Sequence, residues 1–169
     1  MTETKLKIKT YGEKVLREKA GRVAKISEEH RRILSQMSQT MYEGSGVGLA
    51  APQVGISLQM IVVDIGDGLY KLINPRISKK RGRQAISEGC LSLPGISVKV
   101  KRAKHIRVSA RNEEGVLLEI EASNLFACVL QHEIDHLKGK LIVDYASFLD
   151  KVRIKKKLSV LKKKTGQPG

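Results

Sequence analysis

The sequence predicts an α+β fold, with mainly antiparallel sheets packed around a central helix and a basic helix at the C-terminus. Three observations predict it. Strand-like runs precede the central helix and do not alternate regularly with helices. Two of these runs are joined by a short Gly-containing turn, as antiparallel neighbours are. One late segment repeats its apolar residues at helical spacing. The 169 residues fit one domain over residues 1–150, followed by a basic helix or tail over 151–169.

Ser27 is placed to cap a first helix running to about Tyr42, in which Ile33, Leu34, Met37 and Met41 recur at helical spacing. Glu28 and Glu29 suit its positive N-terminal end. Gly44 stops it, and Gly46 and Gly48 follow closely. Residues 59–65 contain the β-branched run Ile61-Val62-Val63 and end at Gly66, which reads as a strand. Residues 70–77 read as another, interrupted or ended around Asn74-Pro75. Residues 106–111 and 116–122 flank Asn112-Glu113-Glu114-Gly115, a hairpin turn. Ser123 then starts a second helix whose apolar positions include Leu125, Phe126, Val129, Leu130, Ile134 and Leu137, and Gly139 ends it. Residues 146–164 read as a third helix, and 165–169 as a frayed end.

Composition narrows the class. The chain is 41% hydrophobic but only 4% aromatic, with no Trp, so its core must be aliphatic. Two cysteines, Cys90 and Cys128, do not make a disulfide framework in a domain this large. A reduced, cytoplasmic protein is expected, in which a thiol can ligate metal. Residues 1–10 lack the apolar core of a signal peptide, and their acid argues against a transit peptide. No apolar run approaches the length of a membrane span, so no membrane partner is expected. The net charge is +15, and eight of the bases lie after residue 150, where there is no acid. A positive protein is biased toward polyanions such as RNA or an anionic membrane surface. For the body that reading stands level with plain solubility; for the tail a polyanion is favoured, though no cognate DNA.

The chemistry is concentrated in Gln131-His132-Glu133-Ile134-Asp135-His136, an H-E-x-x-H motif inside the second helix. Residues i and i+4 share a helix face, so both imidazoles can reach one ion. Glu133 sits where its carboxylate can take a proton from an attacking water and deliver it to a leaving amine. The alternative is an ordinary helix with two surface histidines. A catalytic site needs a third protein ligand. No Glu and no His follows His136, so the ligand should lie upstream. Cys90, in Glu88-Gly89-Cys90-Leu91-Ser92 before a turn-rich Leu93-Pro94-Gly95, is the best candidate. Cys128 lies four residues before His132 and reads as core or pocket lining. His30 and His105 are isolated and read as surface residues.

With Gly46-Val47-Gly48-Leu49-Ala50-Ala51-Pro52-Gln53 added to the two segments above, the chain resembles the peptide deformylase family from about Lys5 to Tyr145, including Leu72-Ile73-Asn74-Pro75. The resemblance implies a metal-dependent hydrolase that removes the N-formyl group from the initiator N-formylmethionine of nascent polypeptides and releases formate. By matching motif positions, Cys90, His132 and His136 would hold one divalent ion, with water as fourth ligand and Glu133 as general acid/base. The ion would be ferrous iron, with zinc, nickel or cobalt able to take its place; donor geometry alone does not choose among them. The Gln53 side-chain amide and the Leu91 N–H would stabilise the oxyanion, a role that suits a neutral donor. Val47, Gly48 and Gly89 would meet the peptide, the Gly46/Gly48 backbone being open to pairing with it as an added strand. Leu125, Cys128 and Val129 would form a methionine slot, a reading no better than plain core. Two departures from many relatives put the pocket rim in doubt: Gly95-Ile96-Ser97 replaces a segment containing Arg, and Val100-Lys101-Arg102-Ala103 replaces Val-Pro-Arg-Ala. Arg102 is expected either to pair with Glu88 and orient the Cys90 loop, or to be a solvated strand-edge residue.

The last helix interleaves eight bases with Val152, Ile154, Leu158, Val160 and Leu161, making a basic amphipathic helix. Some bacterial deformylases dock on the ribosome with such a helix, which implies the ribosome as a partner; the other reading is a surface helix packing its apolar stripe on the body. Two rivals remain: a metallopeptidase, disfavoured by the missing downstream ligand, and a basic RNA-associated protein with a structural metal site, disfavoured by the lack of a fourth well-placed His or Cys.

Overall fold

Ser27 enters the first helix in extended conformation, and its N–H donates to His30 Nδ1 at 3.1 Å, closing the first turn of α1 (Glu28–Glu43). His30 is therefore part of the cap. The computed structural model describes residues 5–166. Of the expected frayed end, residues 167–169 lie outside the described residues.

Five strands form one antiparallel sheet: β1 (Gly48–Ala50), β2 (Met60–Val63), β3 (Tyr70–Arg81), β6 (His105–Arg111) and β7 (Leu117–Ser123), in the order β1-β2-β3-β6-β7. β4 (Gln84–Glu88) and β5 (Val98–Arg102) pair with each other as a separate antiparallel hairpin. With α2 (Asn124–His136) and α3 (Phe148–Lys164) the architecture is α+β, as the sequence predicts. Single 3-10 turns lie at Lys14–Arg17, Ala51–Val54 and Ile142–Tyr145.

The apolar run in β2 has a simple cause. All four residues are buried, because the sheet is covered on both faces. Ile61 and Val63 pack with Ala127, Leu130 and Ile134 of α2, whereas Met60 and Val62 pack with Leu34, Met37 and Met41 of α1. β3 does not stop at Asn74-Pro75. A register shift between Ile73 and Arg76 absorbs the proline, and Asn74 takes a φ of 52°. The Asn74 side chain accepts from the Val23 N–H and donates to the Val23 carbonyl, both at 2.9 Å, so the irregularity pins the segment before α1.

Helix α2 begins after Ser123, but the Ser123 hydroxyl bonds His105 Nδ1 at 2.8 Å rather than capping the helix. α2 contacts both β1 and β5, so it bridges the large sheet and the small hairpin. A third apolar cluster joins Leu93, Ile96, Val98 and Val100 to Ile142 and to Ile154 and Leu161 of α3. α3 starts at Phe148, before residue 151, and is clamped to the hairpin: Arg153 donates to Ser97 O at 2.8 Å and Lys157 to Gly95 O at 2.9 Å.

Candidate metal centre

One turn of α2 separates His132 from His136, and their Nε2 atoms face each other at 3.1 Å. The Cys90 sulfur, from the loop after β4, lies 3.4 Å from His136 Nε2. All three donor atoms fall within 4.8 Å of one another. Two imidazole nitrogens aimed at the same point leave facing lone pairs that only a proton or a cation can reconcile. For two nitrogens each about 2.0–2.1 Å from a tetrahedral ion, the mutual distance is roughly 3.3 Å. The nitrogen–nitrogen separation is close to that, and the borderline-soft donor set suits a divalent transition metal. Cys90, His132 and His136 therefore fit a metal.

The orientation of His132 is enforced from behind. Its Nδ1 lies 2.9 Å from Glu88 Oε2, which leaves Nε2 directed at the centre. Glu88 in turn receives Arg102 Nε at 2.8 Å and Arg102 Nη2 at 2.9 Å, a bidentate pair that is almost fully buried. Arg102 Nη1 reaches Asp135 Oδ2 at 2.5 Å; Tyr145 donates to the same oxygen at 2.6 Å, and its ring lies 4.9 Å from the guanidinium. Burial alone would push the Glu88 carboxyl up, but Arg102 and His132 hold it below the usual carboxylate range. Glu88 is thus an ionised acceptor. Burial likewise opposes the charge on Arg102, yet the two carboxylates keep it more firmly protonated than usual. Of the two readings of Arg102 left open by the sequence, the structure shows the buried pair.

Glu133 occupies the same helical turn and points into the cavity, 3% exposed, with Oε2 free of any protein hydrogen bond. Burial, only partly offset by His132, pushes its carboxyl up to about 7. A group poised there can both accept and return a proton near neutrality. Its approach to β1 depends on Gly48: a Cβ at that position would overlap the Glu133 carboxylate.

Gln53, on the 3-10 turn Ala51–Val54, is 1% exposed. Its Oε1 accepts from the Ala50 N–H at 3.0 Å, which aims Nε2 at Ser92 Oγ (3.1 Å) and the Cys90 sulfur (3.4 Å). Leu91 follows Cys90, and its side chain rests on Gly44 and Gly46.

A cavity of about 390 Å³ collects these groups. Val47, Gly48, Gln53, Gly89, Cys90, Leu91, Leu125, Cys128, Val129, His132 and Glu133 all line it, and His136 lies behind them, 1% exposed. Leu125 is half exposed at the rim, Cys128 and Val129 are buried in the wall, and Val129 also belongs to the main core. Burial pushes the Cys128 thiol up, so it is a neutral wall group. Ser97 and Lys101, at the two departures, are exposed and not part of the lining.

Sequence reasoning missed several contributors. Ile86 and Ser87 form a wall because β4 was not recognised as a strand. Asp135 sits inside the H-E-x-x-H segment, so its place beside the site was legible there, but its partnership with Arg102 was not. Ser92 lies inside the Cys90 motif, but its bond to Gln53 was not legible there, and nothing local to Tyr145 marks it.

Comparison with known proteins identifies the family. The polypeptide deformylase family model matches residues 5–152. The peptide deformylase of Pelotomaculum thermopropionicum is 46% identical over 146 residues, covering 86% of this chain and 94% of that protein. The Syntrophomonas wolfei peptide deformylase is 53% identical over 132 residues, covering 78% and 87%. Among solved structures, a peptide deformylase from Legionella pneumophila superposes with a TM-score of 0.89 at 37% identity, covering 98% of this chain and all of that one. One from Synechococcus elongatus, in complex with actinonin, gives 0.84 at 39% identity, covering 99% and 90%. With family model, sequence relatives and fold in agreement over most of its length, the chain belongs to the polypeptide deformylase family.

Proposed function

We propose that the chain removes the N-formyl group from the initiator N-formylmethionine of nascent polypeptides, releasing formate. The observation that carries this reading is the convergence, in one cavity, of the Cys90/His132/His136 donors, the buried Glu133 carboxylate and the Gln53 amide.

The chain's residues divide the work as follows. Cys90, His132 and His136 would hold a divalent ion, ferrous iron being the one the resemblance implies, with zinc, nickel or cobalt as chemical alternatives. When bound, such an ion supplies Lewis acidity and lowers the pKa of a coordinated water. Glu133 takes the proton from the attacking water as a C–O bond forms at the formyl carbon. It then returns that proton to the methionine nitrogen as the C–N bond breaks, yielding formate and a free amine. The Gln53 Nε2–H and the Leu91 N–H donate to the formyl oxygen while it carries negative charge. β1 is the edge strand of its sheet and β4 pairs only with β5, so the Val47-Gly48 and Gly89 backbones can align an extended peptide. Leu125, Cys128 and Val129 supply an apolar slot for the methionine side chain.

Formate release from formyl-Met peptides by anaerobically purified protein tests the reading, with Glu133→Ala as the control. Release that survives the substitution overturns the mechanism, and cleavage of unformylated peptide at a similar rate favours a metallopeptidase. The site of action is the cytoplasm, where nascent chains are made; both cysteines are unpaired, and no described helix is long and apolar enough to cross a membrane.

The ribosome is the proposed partner, through α3. Ile154 and Leu161 bury against the body, yet Phe148, Leu149 and Val152 leave an apolar patch about 60–80% exposed beside the lysines of the same helix. Because deletion from Lys151 would also remove core residues, substitution is the better test. Phe148→Ser/Leu149→Ser/Val152→Ser should weaken co-sedimentation with ribosomes and spare formate release from short peptides; unchanged co-sedimentation would sink the docking role.

A further inference from the structure

The tail is not the one basic part of the chain. Between Arg76 and Arg107 there are ten Lys and Arg and a single acid, Glu88. That acid is buried and committed to Arg102 and His132, and the Glu121 carboxylate on β7 pairs only Arg107. Among the described residues, Lys80, Arg81, Arg83, Lys99, Lys101 and Lys104 have no acidic partner, and all six are exposed.

The fold gathers them. On the β4–β5 hairpin Ser87 pairs with Lys99 and Ala85 with Lys101, so the outward face carries two lysines flanked by small side chains that do not cover them. The turn at Gly82 brings Arg81 and Arg83 against Lys104: the Lys104 N–H donates to Gly82 O at 3.4 Å, and a Cβ on Gly82 would lie 3.2 Å from that of Lys104. At the other end of the hairpin, Arg153 and Lys157 reach back to Ser97 and Gly95. The result is a basic band running from α3 along β5 to the β3–β4 turn. It carries no exposed large hydrophobic residue between positions 76 and 107, so nothing there can insert into a bilayer. It carries no Phe, Tyr or Trp either, so it lacks a broad platform for stacking unpaired bases. A row of exposed cations, of which Arg153 alone shares an acid (Asp150), with no exposed large apolar side chain among those of residues 76–107, is complementary to a phosphate backbone.

We propose that this band docks on the phosphate backbone of helical RNA, as a surface separate from the exposed apolar patch of α3. The choice of RNA over other polyanions rests on the nascent-chain function proposed above. Contact would be independent of sequence and strongly dependent on salt.

The test uses the full chain and a fluorescently labelled RNA hairpin, titrated by anisotropy at several salt concentrations. Lys80→Ser/Arg81→Ser/Arg83→Ser/Lys99→Ser removes four charges, none of them lining the catalytic cavity. At roughly 0.7–0.9 units of slope per phosphate contact, the log–log salt dependence should flatten by about 3–3.5, and affinity near 0.1 M salt should fall at least tenfold. Formate release from formyl-Met peptide should stay at the parent level. The matched variant Phe148→Ser/Leu149→Ser/Val152→Ser should keep the parent slope. Unchanged affinity and slope in the four-site variant would overturn the proposal, as would loss of binding to phosphatidylserine vesicles with RNA binding intact. Failure of the functional reading would show separately, as absence of formate release from the parent protein.

Discussion

Glu133 meets the backbone of β1 at a position where only a glycine leaves room. Its useful pKa comes from burial, and burial is complete only because Gly48 allows the carboxylate to close against the strand. Gly48→Ala should therefore displace Glu133 without touching the metal donors. A misplacement of this kind costs about 100-fold in rate. The prediction is a loss of that order in kcat/KM on a formyl-Met peptide with one metal per chain retained; full activity with intact metal would refute the steric account. Arg102 works differently. It is the shared cation between Glu88 and Asp135, and both carboxylates are largely buried. Arg102→Ala would strand two anions, and breaking a buried pair by removing one partner costs about 3–5 kcal/mol. It would also loosen Glu88, the acceptor that orients His132, and disturbing such an outer partner of a metal ligand costs about 10–100-fold in metal affinity. Both effects should appear together, as a lower melting temperature and a weaker metal titration. A variant that melts early but binds metal at parent affinity would show that the network serves stability alone.

Between elements, the short connections carry as much of the design as the helices. The 3-10 turns Lys14–Arg17 and Ile142–Tyr145 are joined by Arg17 Nη1 to Asp144 Oδ2 at 2.7 Å, and Asp144 also accepts from the Leu141 N–H at 2.9 Å. Partial burial pushes the Asp144 carboxyl up, but Arg17 and the Leu141 N–H outweigh it, so its pKa lies below the usual value. A depressed carboxylate stabilises the fold at neutral pH and loses that contribution as the pH falls through and below about 4. The side chain is 38% exposed, so solvent screening keeps the effect near 0.5–1 kcal/mol. Denaturant melts should find Asp144→Asn less stable than the parent at pH 7, with the gap narrowing as the pH is taken below about 4. An equal gap across that range would exclude the ionised pair as the cause. These connections are also what the sequence hides. α1, β2, the β6–β7 hairpin and α2 were legible because each is a local pattern: a serine cap, a β-branched run, a Gly turn, an apolar period. β4 and β5 were not. Gln84–Glu88 has one large apolar residue, and the loop between the strands is too long to signal a hairpin. The site divides along the same line. The metal donors, Glu133 and Gln53 fall in three contiguous motifs, whereas Arg102, Asp135 and Tyr145 come together only through the tertiary path from β5 to α2 to the turn before α3.

Across the whole molecule, the candidate metal centre lies where two cores meet. His132 and His136 sit on α2, whose apolar face belongs to the cluster under the large sheet, while Cys90 packs against the cluster built by β5 and α3. An ion held by all three would therefore act as a cross-link between halves that otherwise touch through side chains. The unfolded chain has no such site, so the binding free energy adds to the stability of the fold. At an ion concentration near one hundred times the dissociation constant, that amounts to about 2.7 kcal/mol. For a chain of this size each kcal/mol shifts the midpoint by roughly 2–4 °C. Chelation should therefore lower the melting temperature by about 5–10 °C, and restoring a divalent ion should recover it. Cys90→Ser should melt near the apo parent and respond little to chelator, because the serine hydroxyl is a poor substitute for a thiolate. Cys128→Ser, which alters a wall residue and no donor, should keep the full response to chelator. A parent protein that loses its metal without any change in melting temperature would show that the two halves need no cross-link, and that Cys90 is there for the chemistry alone.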